Sequence, residues 1–251
     1  MKKIAIYGKG GIGKSTITSS LSAAVASMGY RVMQVGCDPK ADSTCNLLNG
    51  KELQSVMAYL REHDHDCEPA LEDIMQQGFG GVFCVEAGGP TPGIGCAGRG
   101  IITTFQTLQD LEAYEICKPD FVFYDILGDV VCGGFAAPIR DGYADEVIVI
   151  TSGEKMALFA ADNIVKAVRN FEDRDYAKVR GIILNCRNVD DEEEIVRKFA
   201  EERNLSILGI VPRDRNVQKY ENMNQTVIQG DPTLEISRVI MDIARTIVEE
   251  A

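Results

Sequence analysis

The chain has 251 residues, 45% hydrophobic and 25% charged, with a formal net charge of −12. That balance supplies a core of useful size and excludes a general nucleic-acid footprint, which needs a basic surface. No apolar run approaches the roughly 18 residues of a membrane span, and the N-terminus runs straight into an apolar strand without a signal or transit segment. A cytoplasmic protein with no membrane and no nucleic-acid partner is expected.

The first apolar run, 3–7, is followed by Gly8-Lys9-Gly10-Gly11-Ile12-Gly13-Lys14-Ser15 and a helical pattern near 15–28. This is G-x-x-x-x-G-K-S at a strand–helix junction, the pattern of a phosphate-binding loop. Glycines let the backbone curl so that successive N–H groups converge on a polyphosphate. The helix adds its positive N-terminal end. Lys14 would reach the β- and γ-phosphates and the Ser15 hydroxyl would hold Mg²⁺; Thr16 joins the nucleotide-binding set. Lys9 is a second lysine inside the loop. The K-G-G-x-G-K-S form resembles the deviant Walker A ATPases, in which that lysine reaches the nucleotide of a facing subunit, and so implies an ATP-dependent homodimer.

A second strand, 31–36, runs into Gly36-Cys37-Asp38-Pro39-Lys40-Ala41-Asp42-Ser43. Ligands of doubly wound sheets gather at the carboxyl ends of strands, which places Asp38 and Asp42 near the phosphates. One carboxylate can orient the attacking water. The other can bind Mg²⁺ through water or report on the γ-phosphate, and Lys40 between them is a further nucleotide-binding candidate. Helical patterns near 52–61 and 70–77 flank a stretch with His63, His65 and Cys67, which reads as a solvated loop rather than a His-x-His-x-Cys metal site.

A third strand, 82–86, leads into Gly88-Gly89-Pro90-Thr91-Pro92-Gly93-Ile94-Gly95-Cys96-Ala97-Gly98-Arg99-Gly100 and a helix near 100–113. A thiolate at Cys96 would be stabilised by the exposed N–H groups of that helix. Its small neighbours allow a bulky inorganic group to approach. The fourth strand, 120–125, ends in Phe121-Val122-Phe123-Tyr124-Asp125. Four apolar residues and an aspartate make the Walker B form, with Asp125 on Mg²⁺ directly or through water. Gly128 gives the backbone freedom that a γ-phosphate-sensing switch needs. The segment continues through Asp129 to Cys132, a second thiol on a loop expected to move with nucleotide state.

Strands at 145–151, 179–185 and 206–211 alternate with helices near 155–171, 191–203 and 233–249. The alternation predicts an α/β fold: a single doubly wound, mostly parallel sheet with helices on both faces, of the P-loop NTPase type, in one domain over 1–251. The last helix is amphipathic and reads as docking on the domain.

Of eight cysteines, none forms a C-x-x-C pair, which argues against a zinc ribbon or a single-chain ferredoxin-type motif. A reducing compartment argues against a disulfide framework. Most are expected as buried small hydrophobes, with Cys84 and Cys186 in strands. Cys96 and Cys132 differ in setting. A 4Fe-4S cluster takes four thiolates, and a two-fold dimer with its axis through the cluster supplies two from each subunit. The metal centre is expected between chains, one per homodimer.

Together the motifs G-K-G-G-I-G-K-S, G-C-D-P-K-A-D-S-T, G-G-P-x-P-G-I-G-C-A-G-R-G and Y-D-I-L-G-D-V-V-C-G-G-F resemble the nitrogenase iron protein family over almost the whole chain. That family includes nitrogenase reductase, the L-type subunit of dark-operative protochlorophyllide reductase and the reductase of nickel-sirohydrochlorin a,c-diamide cyclisation. The resemblance implies Cys96 and Cys132 as cluster ligands, Lys9 as the cross-dimer lysine, and Asp38, Asp42, Asp125 and Asp129 as switch residues. It further implies Asn185 as the adenine contact and Val211-Pro212-Arg213-Asp214 as the base-and-ribose loop. Arg99 matches the position at the partner-docking face where some members are ADP-ribosylated. Nitrogenase reductases usually continue past the final helix, so a nitrogenase-like branch is expected.

The function expected from these readings is ATP-gated electron transfer. A low-potential donor such as ferredoxin or flavodoxin would reduce the cluster, MgATP would shift both switch loops, and the dimer would pass its electron to a larger nitrogenase-like catalytic component. Two other classes share the loop chemistry. A positioning ATPase of the partitioning type needs no metal, and usually carries a basic patch or a membrane-binding helix. An Fe-S scaffold or carrier ATPase generally uses the C-x-x-C pair that is absent here.

Overall fold

Strand β1 (Lys2–Tyr7) is buried on both faces: Ile4, Ala5, Ile6 and Tyr7 are each 0% exposed. Such a strand needs a layer of helices on either side, and the chain supplies them. The computed structural model describes residues 1–63, 69–89, 97–128, 136–140, 142–170 and 176–249. After β1 come α1 (Lys14–Ser27), β2 (Val32–Gly36), α2 (Val56–Glu62), α3 (Leu71–Ile74), β3 (Met75–Gln77), β4 (Phe83–Glu86), α4 (Ala97–Asp110) and α5 (Ala113–Cys117). Then follow β5 (Phe121–Asp125), α6 (Ala137–Arg140), β6 (Glu146–Thr151), α7 (Lys155–Arg169), β7 (Lys178–Asn185), α8 (Glu192–Glu202), β8 (Ile207–Val211), α9 (Arg215–Glu221), α10 (Val227–Gly230) and α11 (Glu235–Glu249).

The described strands form one sheet in the order β3-β4-β2-β5-β1-β6-β7-β8. Every pairing is parallel except β3 with β4. Side chains alternate between the faces, so Ala5 and Tyr7 join one apolar core with Phe105, Tyr124 and Ile164. Ile4 and Ile6 join the other with Leu21, Ile240 and Ile243. From β1 the chain crosses to β2 and on to the edge strand β3, returns through β4 to β5 between β2 and β1, and then builds β6, β7 and β8 on the far side. The reversal falls at β1, where a doubly wound sheet opens a crevice at the carboxyl ends of its strands. The doubly wound, mostly parallel sheet expected from the alternation is the architecture found.

Several element boundaries differ from the sequence pattern. The helix expected near 70–77 stops at Ile74. Met75 turns extended (φ −137°, ψ 136°), and Met75–Gln77 pair antiparallel with Phe83–Val85 as an edge strand. The expected helix near 52–61 starts later, at Val56, because the Ser55 hydroxyl caps it by accepting from the Ala58 N–H at 3.3 Å. The helix expected near 100–113 is α4, which ends at Asp110; Glu112 then adopts a left-handed φ of 51° and the separate short helix α5 begins. Helices α6, α9 and α10 are too short to register as amphipathic periods. Cys84 lies in β4 as expected, whereas Cys186 follows the end of β7 and is half-buried.

The last helix, α11, packs on α1 and β8 through Ile236, Ile240, Ile243 and Ile247. Its end is held by Arg180 on β7, which donates to the carbonyls of Thr246 (2.9 Å) and Ile247 (3.0 Å) and pairs with Glu146 at 2.7 Å. A cation there also complements the negative end of the helix.

Candidate functional site

The crevice is built where three parallel strands end level. Ile6 of β1 pairs with Asp125 of β5, and Gly36 of β2 pairs with the same Asp125. Each strand then delivers one predicted segment. Gly8, Lys9, Gly10, Gly11, Ile12 and Gly13 connect β1 to α1, whose first residues are Lys14, Ser15 and Thr16. The Cys37 N–H donates to the Asp125 carbonyl at 3.0 Å, tying the start of the Asp38–Asp42 loop to the end of β5.

Gly13 caps α1 with φ +93°, and a Cβ there would meet Asn185 Nδ2 at 2.7 Å. Only glycine takes this backbone without strain. No described side chain caps the helix, so the N–H groups of its first turn face the crevice without a side-chain acceptor among the described residues. Asn185 Nδ2 donates to the Ile12 carbonyl at 2.7 Å, and Arg187 Nη2 donates to the Gly11 carbonyl. Two carbonyls of the loop are thereby satisfied from the strand side of the cleft.

Asp125 is buried at 3% exposure. Its Oδ2 accepts from the Ser43 hydroxyl at 2.7 Å, while Oδ1 is buried with no hydrogen-bond partner among the described residues. Burial pushes the carboxyl pKa up, with Asp38 adding to it; the Lys14 cation and the hydroxyls of Ser15 and Ser43 oppose the shift. An orphaned carboxylate oxygen beside a buried lysine and a serine hydroxyl suits a hydrated divalent cation. Lys14 is 7% exposed.

Asp38 is half-buried; its Oδ1 accepts from the Lys40 N–H at 2.9 Å and its carbonyl from the Ala41 N–H at 3.0 Å. Lys9 is half-buried, and Lys40 and Asp42 are exposed. The structure does not gather these last two against the Asp125 oxygens. On the other side of the loop, Thr44 donates from N and Oγ1 to Glu86 Oε1. Gly89, three residues past β4, packs so closely on Pro39 that a Cβ would meet the Pro39 Cβ at 2.5 Å. Gly89 therefore rests on the loop carrying Asp38.

A cleft of about 810 Å³ lies beside the start of α1 and is lined by Gly13, Thr16, Asn185, Pro212, Arg213 and Asp214. All six are nucleotide-binding candidates in the sequence. Arg187, Gln218 and Glu221 line it as well; no motif marks them, and Glu221 is found only by the Thr16 hydroxyl that donates to it. Asp214 caps α9 by accepting from the Asn216 N–H at 2.7 Å, which orders the base of the cleft. Arg99 is exposed on the first turn of α4. Cys96, Asp129 and Cys132 lie outside the described residues, as do His65 and Cys67; His63 stacks on Tyr59. No group of three or more potential metal ligands occurs among the described residues, and no described helix is long and apolar enough to cross a membrane.

Residues 2–251 match the family described as 4Fe-4S iron sulfur cluster binding proteins, NifH/frxC family. The fold is similar to solved P-loop ATPases. The cell division ATPase MinD of Pyrococcus furiosus aligns over 100% of this chain and 99% of its own, at 18% identity and a TM-score of 0.77. A ParA family ATPase from Chlorobium tepidum aligns over 97% of both chains, at 19% identity and a TM-score of 0.69. Cobyrinic acid a,c-diamide synthase from Mycobacterium smegmatis, solved with ADP and magnesium, aligns over 99% of this chain and 94% of its own, at 18% identity and a TM-score of 0.68.

Proposed function

Because the chain belongs to the NifH/frxC family of 4Fe-4S iron sulfur cluster binding proteins, we propose that it is an ATP-dependent electron-transfer component. It works as a homodimer with one 4Fe-4S cluster between subunits, and it serves a larger nitrogenase-like catalytic partner. The observation that carries the nucleotide half is Asp125: a buried carboxylate at the junction of three strand ends, with Oδ1 unpartnered among the described residues and Lys14 close enough to act on its charge. When bound, MgATP supplies the hydrolysable anhydride and the cluster supplies one-electron chemistry.

The chain's own residues divide the work. The first-turn N–H groups of α1 and Lys14 hold the phosphates, Ser15 and Asp125 hold the Mg²⁺ side, and Asn185 with Pro212, Arg213 and Asp214 receives the base and ribose. Asp38 or Asp42 orients the attacking water, and Lys9 reaches toward the facing subunit. Cys96 and Cys132 of each copy are the proposed cluster ligands, with Asp129 in the switch and Arg99 at the docking face. The described frame favours coupling between the two ends. Asp125 ends the strand that leads to Cys132, and Gly89 on the way to Cys96 rests on Pro39 beside Asp38. A low-potential ferredoxin or flavodoxin is the proposed donor.

Anaerobic purification followed by iron analysis and electron paramagnetic resonance tests the reading. Iron near four per dimer is expected for the wild type, with loss of the signal in Cys96→Ser and Cys132→Ser. An iron-free protein that hydrolyses ATP normally after anaerobic reconstitution would identify a metal-free ATPase instead.

A further inference from the structure

Gln34 lies in the middle of β2 and is 0% exposed, between β4 on one side and β5 on the other. A carboxamide in the interior of a sheet must have its donors and acceptor satisfied. Here a single arrangement does so. Oε1 accepts from the Ser22 hydroxyl at 2.8 Å. Nε2 donates to Ser43 Oγ at 2.9 Å, and lies 3.1 Å from both the Ser43 carbonyl and Ser19 Oγ. The Ser19 hydroxyl donates to the same Ser43 carbonyl at 2.7 Å. Reversing the amide would set Oε1 against that carbonyl, so the network itself determines which end of Gln34 faces Ser43.

The direction of these bonds has a consequence for Asp125. Gln34 fills an acceptor site on Ser43 Oγ, so the Ser43 proton goes elsewhere, and it goes to Asp125 Oδ2 at 2.7 Å. One carboxylate oxygen is thereby engaged and the other, Oδ1, has no hydrogen-bond partner among the described residues. Ser19 and Ser22, one turn apart on α1, anchor the far end of the chain. The relay thus runs from the helix behind the phosphate-binding loop, through β2, to the carboxylate at the end of β5.

We propose that Gln34 is a positioning residue: acting through Ser43, it holds the Asp125 carboxylate so that Oδ1 is the oxygen available on the Mg²⁺ side. This deepens the proposed function and rests on Asp125 serving Mg²⁺ there. Gln34 does not touch nucleotide; its effect is carried entirely by the Ser43 hydroxyl.

The test uses Gln34→Met, which keeps the volume and removes the hydrogen bonds, together with Ser43→Ala and the double variant. Two quantities are read: the Mg²⁺ concentration for half-maximal ATP hydrolysis, and ATP binding in the absence of Mg²⁺. Gln34→Met is expected to raise the Mg²⁺ requirement about fivefold, the factor set by one hydrogen bond of roughly 1 kcal/mol, with Mg²⁺-free binding unchanged. The double variant should be no worse than Ser43→Ala alone, because both changes break one relay. Additive effects, or an unchanged Mg²⁺ requirement in folded Gln34→Met, would overturn the assignment. Should Gln34→Met not fold, Ser43→Ala decides alone: a wild-type Mg²⁺ requirement there overturns it too. A wild-type protein without Mg²⁺-dependent ATP hydrolysis would instead overturn the functional reading on which the assignment stands.

Discussion

Thr44 binds Glu86 twice: its N–H and its hydroxyl both donate to Oε1, at 2.6 and 2.7 Å. The second oxygen, Oε2, is buried without a hydrogen-bond partner among the described residues, and a side chain on Gly36 would run into it. Thr44 follows the Asp38–Asp42 loop and Glu86 ends the strand that leads toward Cys96. The pair therefore joins the bases of two loops proposed to respond to nucleotide and cluster.

Glu86 makes stability depend on pH. Burial pushes its pKa from the ordinary 4.5 up to about 8; the nearby Asp125 and Asp42 charges add to the rise, and the two Thr44 bonds oppose it. A carboxyl whose folded pKa is raised binds a proton more readily folded than unfolded. Its contribution is fully present below pH 4.5 and is lost as pH rises through about 8. Glu86→Gln keeps an acceptor for Thr44 and does not ionise. Denaturation curves at pH 6 and pH 9 should show the variant gaining on the wild type at the higher pH. A constant difference would mean that Glu86 does not titrate in this range.

Asp125→Asn retains an acceptor for Ser43 but removes the charge from the proposed Mg²⁺ side. ATP hydrolysis should fall by at least about 100-fold, the scale of losing metal-ion stabilisation, while Mg²⁺-free nucleotide binding stays near wild type. Steady-state hydrolysis beside equilibrium binding separates the two quantities. Equal losses in both would place Asp125 in folding rather than in the chemistry.

Gly13→Ala should be destabilised by about 1–2 kcal/mol from its left-handed backbone alone, and should lose ATP binding as the loop shifts away from Asn185. Pairing it with Asn185→Ala removes the contact at 2.7 Å but leaves the φ of +93°. Thermal melting should therefore recover only in part. Full recovery would show that the contact, not the backbone, sets the requirement for glycine.

Arg180→Met tests how α11 is held. The guanidinium is 5% exposed in its side chain and serves Glu146 and two carbonyls at the helix end. Its removal should cost roughly 2–3 kcal/mol, as for hydrogen bonds to a charged group. Amide exchange should speed up in the last turn of α11 first. Uniform exchange changes across the sheet would argue against a local anchor.

Much of the fold was legible because strands buried on both faces read as unbroken apolar runs, as in Ile4-Ala5-Ile6-Tyr7 and Phe121-Val122-Phe123-Tyr124. The phosphate loop was legible because glycine and lysine at fixed spacing have few other uses. The edge strand Met75–Gln77 was not, since three residues carry no period and their state is decided by pairing with Phe83–Val85. Gln34 and Glu86 were equally silent: each is a polar residue in an apolar strand whose partners come from other elements. Glu221 reaches the cleft beside α1 through the contact of α9 with Thr16. Spacing along the chain shows what a local loop can bind, while contacts between elements determine which side chains support it.

The most direct measurement is iron content and ATP hydrolysis on the same anaerobically purified sample, for the wild type, Cys96→Ser and Cys132→Ser. The account predicts about four iron atoms per dimer in the wild type and none retained in either variant, with Mg²⁺-dependent hydrolysis in the wild type. Full iron occupancy in either cysteine variant would contradict it.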